Sequence, residues 1–89
     1  MATKSWTVQV TLDEQGDNTL ADATLSLENK IEMRGHGLSR RNPDDESVPT
    51  IGDELAAARA LSDLAHQLLA AAATDIESRT HEPATSLEL

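Results

Sequence analysis

Cysteine is absent from this 89-residue chain, which excludes a disulfide framework, a thiolate metal site and a cysteine nucleophile. Phenylalanine and tyrosine are absent as well, and Trp6 is the lone aromatic residue, so the side chains that usually dominate a core are missing. Much of the 38% hydrophobic content is alanine, which buries little area per residue. No apolar run is long enough for a transmembrane helix, and an alternating segment follows Lys4 where a signal peptide would need a continuous apolar stretch. A cytoplasmic protein without membrane contact is the expectation. Basic residues are scarce, 7 against 16 acidic, and the resulting charge of -9 repels polyphosphate partners at long range.

The length fits a single domain, 1–89, that hides only about 60 to 65% of its unfolded surface, so burial against a second subunit would add stability. Trp6, Val8, Val10 and Leu12 alternate with Thr7, Gln9 and Thr11, the period-two pattern of a half-buried strand. The polar cluster 13–18, with Gly16 and Asn18, reads as a hairpin loop. A second alternation sets Ala21, Ala23, Leu25 and Leu27 against Asp22, Thr24, Ser26 and Glu28. Ile31 and Met33 open a third strand whose apolar parity continues into Gly35 and Gly37, leaving room for a helix to approach closely. Residues 40–49, with Pro43, Pro49 and the acidic run Asp44-Asp45-Glu46, form a connection across the sheet.

A long helix organises the rest. Thr50 with Asp53 three residues on suggests a capped start. Ile51, Leu55, Ala58, Leu61, Leu64 or Ala65, Leu68, Ala72 and Ile76 recur at helical spacing as one stripe expected to face the sheet. Alanines 57, 58, 60, 65 and 72 are expected to meet the two glycines. The fold class is α+β: a three-stranded antiparallel sheet, about 5–12, 19–28 and 31–40, followed by one long helix, about 50–78, with Pro83 as a stop. Such a helix is roughly 42 Å long against about 26 to 34 Å for the strands, so it overhangs the sheet. The overhang and an open sheet edge both invite a second copy of the chain, the edge by forming a six-stranded sheet.

No residues converge as an active site, and the chain reads as a non-enzyme without metal or cofactor. His36, His66 and His81 are too far apart for a helical zinc motif. Ser62, Asp63 and His66 share a helix but have no oxyanion donor or pocket beside them, and Asp44-Asp45-Glu46 lacks the alternation of a calcium loop. One constellation is distinctive. Lys30, Arg34, His36 and Arg40 share the parity opposite Ile31 and Met33, and Arg41 is next in line. With four basic residues and one acidic, segment 30–41 carries +3 in a chain of -9. Lys30, Arg34, Arg40 and Arg41 are therefore candidate phosphate-binding residues on the sheet face away from the helix. The plainer reading is cross-strand ion pairing with Asp22 and Glu28.

Trp6-Thr7-Val8, Leu12-Asp13-Glu14, Gly35-His36-Gly37-Leu38-Ser39-Arg40, Asn42-Pro43, Val48-Pro49-Thr50-Ile51-Gly52-Asp53-Glu54-Leu55, Ala58-Arg59-Ala60-Leu61-Ser62-Asp63-Leu64, Asp75-Ile76-Glu77 and Thr80-His81-Glu82-Pro83-Ala84 together give the chain a recognisable character. It resembles a family of small actinobacterial proteins filed as a domain of unknown function. The resemblance implies a βββα subunit like the double-stranded-RNA-binding domain, a homodimer, and in some members production under hypoxic dormancy with a shape like ribosome hibernation-promoting factors. The leading expectation is a non-enzymatic homodimer of stress or dormancy that occludes the ribosome, with Lys30, Arg34, Arg40 and Arg41 on rRNA phosphates. The alternative is a protein-protein interaction module with no nucleic-acid binding, using the acidic loop or a free sheet edge.

Overall fold

The computed structural model describes residues 2–27 and 32–81. Strands β1 (Val8–Gln15), β2 (Asn18–Ser26) and β3 (Glu32–Arg40) form one antiparallel sheet in the order β1-β2-β3, and helix α1 (Pro49–Thr80) follows. Residues 28 and 31, with which the expected second strand ends and third begins, lie outside the described residues, as do Lys30, Pro83 and the C-terminal segment from Glu82.

The alternation read along the first strand holds, but the strand is displaced towards its C-terminal end. It pairs from Val8 rather than Ser5 and continues through Asp13, Glu14 and Gln15, which the sequence suggested as loop. Gln15 pairs with Asn18, so the hairpin turn is only Gly16 and Asp17. Gly16 has φ 64 and Asp17 does not enter the positive region, the pattern of a type II′ turn. An edge strand with one solvated side tolerates polar residues to its end, and for that reason the acidic run can stay in the ladder.

Register brings the expected apolar sides together. Val8, Val10 and Leu12 lie opposite Leu25, Ala23 and Ala21. Those three in turn lie opposite Met33, Gly35 and Gly37. Directly opposed residues share a face, so all nine point to the helix side of the sheet. The helix, however, lies over β2 and β3 and hardly reaches β1.

The side of the helix that meets the sheet differs from the stripe of large residues expected to do so. Ala56, Ala60 and Leu64 are the buried helical residues, packed on Ala21, Ala23 and Leu25, with Leu68, Leu27 and Met33 at the margin. Ile51, Leu55, Leu61 and Ile76 remain exposed. The cause is the glycine pair on β3. A Cβ on Gly35 would stand 2.9 Å from the Leu64 Cβ and collide with the Ala60 carbonyl, and one on Gly37 would collide with the backbone of Ala56 and Ala60. A contact of that closeness admits only the smallest side chains on the helix, so Gly52, Ala56 and Ala60 define the seat and the large residues turn away. Of the alanines expected against the glycines, Ala60 alone is fully buried.

The helix begins without the expected Thr50 cap. Val48 is the N-cap in extended conformation, no side chain caps the end, and Pro49 opens the first turn. Proline has no N–H to satisfy and its fixed φ suits that position. The helix then runs unbroken past Thr74 and ends where His81, at φ 59, donates its N–H to the Glu77 carbonyl at 2.8 Å. Its 32 residues span about 48 Å at the α-helical rise. All helical residues from Thr74 onward are exposed, so the rod projects beyond the sheet as its length requires. The Cα radius of gyration, 16.6 Å, exceeds the about 12 Å of a compact chain this long.

Candidate functional site

Three surfaces carry side chains capable of recognition. The first is the outer face of the sheet, which nothing among the described residues covers. Arg34, His36, Leu38 and Arg40 project from it, on the side of β3 opposite Met33, Gly35 and Gly37. Arg34 sits 3.6 Å from the Glu32 carboxylate, and the His36 Nδ1 is 2.5 Å from Asp22 Oδ1 on the neighbouring strand. Arg40 donates from Nε to the Asn18 side-chain oxygen at 3.2 Å. With Asp13 on the same face, the described residues place three carboxylates among two guanidinium groups there. The cross-strand contact foreseen with Asp22 is made by His36. Glu28 and Lys30 lie outside the described residues.

Arg41 serves another purpose. Its backbone N–H donates to the Asp17 carbonyl at 2.8 Å, and its guanidinium donates to the Asp45 carbonyl at 2.5 Å and to the Asp17 carboxylate. It thereby buckles the hairpin turn to the loop before the helix. The structure thus puts Arg34 and Arg40 on one open face and turns Arg41 inward to the loop.

The second surface is a cavity of about 450 Å³ beside that buckle, lined by Asp17, Thr19, Ser39, Asp45, Val48 and Ile51 among others. Its carboxylates, Glu14, Asp17, Asp45 and Glu46, are all exposed. Thr19 and Ser39 are buried beneath the first helical turn, where a Cβ on Gly52 would be 3.0 Å from Thr19 Oγ1. Among the described residues no histidine or lysine lines this space, and Glu14 stands directly opposite Thr19 in the ladder. Elsewhere, His66 Nδ1 meets the Ser62 backbone carbonyl at 2.7 Å and not its hydroxyl. No group of three or more histidine and acidic side chains able to hold a metal occurs among the described residues.

The third surface is formed by the sheet edges. Arg59, Asp63 and Gln67 lie four residues apart on the helix flank over β3. Arg59 Nη1 donates to the Leu38 carbonyl at 2.7 Å and Gln67 Nε2 to the Arg34 carbonyl at 2.8 Å. Between them, Asp63 Oδ2 accepts the His36 backbone N–H at 2.8 Å. That bond holds the Asp63 carboxyl below its ordinary value; partial burial works the other way, and Gln67, His36 and His66 add smaller favourable contributions. The free edge of β3 is therefore occupied by side chains, and β1 is left as the open edge of the sheet.

Nearly the whole sequence fits one group of known proteins: the Rv2632c-like family pattern matches residues 4–85. The chain belongs to that family. It is 50% identical over 84 residues to the uncharacterized protein Rv2632c of Mycobacterium tuberculosis, covering 94% of this chain and 89% of that one. An equal identity over 82 residues, 92% of this chain and 86% of the relative, links it to the uncharacterized protein Mb1767 of Mycobacterium bovis. The crystal structure of Rv2632c superposes with a TM-score of 0.85 at 48% identity, over 93% of this chain and 98% of the other. Three antiparallel strands and one long C-terminal helix are thus an architecture shared with this Rv2632c-like relative.

The edge-closing row was missed in the sequence. Asp63 is weighed there only beside Ser62 and His66, and no role is assigned to Arg59 or Gln67. The available signal was that all three border Ala56, Ala60 and Leu64 on the helical wheel, which only makes sense if polar side chains flank the buried seat.

Proposed function

We propose that this Rv2632c-like protein is a non-enzymatic interaction module that works as a homodimer and engages a protein partner. The observation that carries this reading is the charge state of its open face. Arg34 is paired with Glu32 and His36 contacts Asp22, Arg41 is withdrawn into its loop, and among the described residues carboxylates outnumber guanidinium groups on the face. A surface balanced in this way within a chain of -9 favours a protein over a polyanion. The test is recovery of a protein partner from a nuclease-treated extract by the tagged chain, with loss of capture on reversing Asp22 and Glu32 to lysine.

A second reading follows from the projection of Arg34 and Arg40 from the same uncovered face. In it the dimer is a stress- or dormancy-associated factor of the hibernation type that occludes the ribosome. Co-sedimentation with ribosomes that is lost at high salt and in an Arg34→Glu, Arg40→Glu variant supports it; sedimentation unchanged by the two reversals excludes it.

A further inference from the structure

The helix side of the sheet changes character at the hairpin end. Further along, Leu12, Ala21 and Gly37 lie side by side across the three strands, and Val10, Ala23 and Gly35 do the same. At the hairpin end, Glu14 is opposite Thr19 and Thr19 is opposite Ser39. Opposed residues share a face, so a carboxylate and two hydroxyls line up where the apolar rows stop.

Thr19 and Ser39 are only 8% and 5% exposed. Neither hydroxyl makes a hydrogen bond among the described residues, and both line the cavity of about 450 Å³ under the first helical turn. Hydroxyls so deeply set ordinarily have a partner in the chain or in a bound molecule. Val48, Ile51 and Leu55, all exposed, supply an apolar wall to the same cavity, whose size lies within the range of small-molecule sites.

The charges around the cavity decide the sign of what it takes. Four carboxylates, of Glu14, Asp17, Asp45 and Glu46, stand against the guanidinium groups of Arg40 and Arg41, a balance of -2. Both arginines are engaged, Arg40 with the Asn18 side chain and Arg41 with the Asp17 carboxylate and the Asp45 carbonyl. The carboxylates of Glu14, Asp45 and Glu46 have no ion-pair partner among the described residues. The helix start, which no side chain caps, opposes them with only about half a positive charge. A cation is therefore favoured, and the apolar wall calls for an aliphatic chain behind it.

We propose that this cavity binds a small aliphatic ammonium ion, its head held by Glu14, Thr19 and Ser39 and its chain laid along Val48, Ile51 and Leu55. An ammonium brings three N–H donors and no acceptor, and the polar row offers three side chains able to accept. Neighbouring strands lie about 4.8 Å apart, so one nitrogen between Thr19 and Ser39 reaches both hydroxyls, and the longer Glu14 side chain closes on it from β1. The site lies within one chain, on the other side of the sheet from Arg34 and Arg40, and so goes beyond the partner-binding reading and does not depend on it.

The test is titration of the isotope-labelled full chain with hexylammonium at fixed ionic strength, followed by amide resonances, with hexanoate and hexanol as probes of equal chain length and different charge. Hexylammonium is expected to shift the Thr19, Ser39 and Gly52 signals saturably and to leave those of Arg34 and His36 in place. The other two probes should bind about tenfold or more weakly. Glu14→Gln, at an exposed position, should weaken hexylammonium binding about tenfold with the unfolding midpoint unchanged. Thr19→Val should weaken it too while holding or raising the midpoint, since it removes a nearly buried hydroxyl that has no partner; a purely structural residue would lose stability instead. Tighter binding of hexanoate would overturn the proposal in favour of an anion site at the helix start. Equal binding of all three probes would overturn the recognition of charge. Shifts that do not saturate, that fall outside the cavity, or that persist undiminished in Glu14→Gln would overturn the site itself.

Discussion

The carboxylate of Asp63 accepts the backbone N–H of His36 at 2.8 Å, tying the middle of the helix to the outermost strand. The Asp63 carboxyl is held below the ordinary value of 3.8 chiefly by this bond, so the folded chain binds fewer protons than the unfolded chain between the two values. The stabilisation is complete above the unfolded value and disappears as pH falls through the folded one. Asp63→Ala should therefore lower the urea midpoint at neutral pH, and the gap to the unsubstituted chain should narrow progressively as pH falls below 3.8. Paired denaturation curves across this pH range check the sign.

Gly35→Ala and Gly37→Ala should each lift the helix from its seat, because the added methyl meets main-chain atoms that have no side-chain freedom to yield. A loss of about 1 to 3 kcal/mol is expected from overpacking of this kind, read by thermal or urea unfolding. Gly16→Ala provides the contrast. Nothing lies within 4 Å of a Cβ there, so its cost, about 1 to 2 kcal/mol, comes only from holding φ at 64.

Arg41→Lys removes the planar fork that reaches the Asp45 carbonyl and the Asp17 carboxylate together. The group is partly exposed, so the loss of stability should be about 1 kcal/mol or less. Amide hydrogen exchange in the loop 42–48 should accelerate more than in β2. Partner capture through the outer sheet face should be unchanged, since Arg41 does not contribute to it.

Ionic strength tests self-association, common to both functional readings, apart from the ribosome contact of the second. Two chains of -9 repel each other, so self-association should strengthen as salt rises and screening grows, within the range below about 0.15 M where the Debye length still exceeds 8 Å. Contact with rRNA phosphates would weaken over the same range. Sedimentation equilibrium of the chain alone and with ribosomes, across a salt series, measures both slopes.

Much of the architecture was legible in the chain because period-two alternation is a strong signal when β-branched residues fill one side. The parity of Val8, Val10 and Leu12 against Ala21, Ala23 and Leu25, and the place of Gly35 and Gly37 beneath a helix, could be read directly. Which side of the helix would sit there could not be read from residue size. Hydropathy favours a stripe of Ile51, Leu55 and Leu61, but a sheet carrying glycine selects for close approach, and Ala56 and Ala60 fit where leucine would clash. The placement of Arg34 and Arg40 followed from parity. The engagement of Arg41 did not, since it depends on a turn two residues long that polar composition made look longer.

A valine-bearing strand at the margin of a sheet is ordinarily where fibrils start, because each added molecule leaves a fresh margin for the next. Here Arg59, Asp63 and Gln67 have sealed one of the two margins within every molecule. The helix, by gripping the strand beneath it, thereby leaves β1 as the one margin among the described residues where such growth could begin.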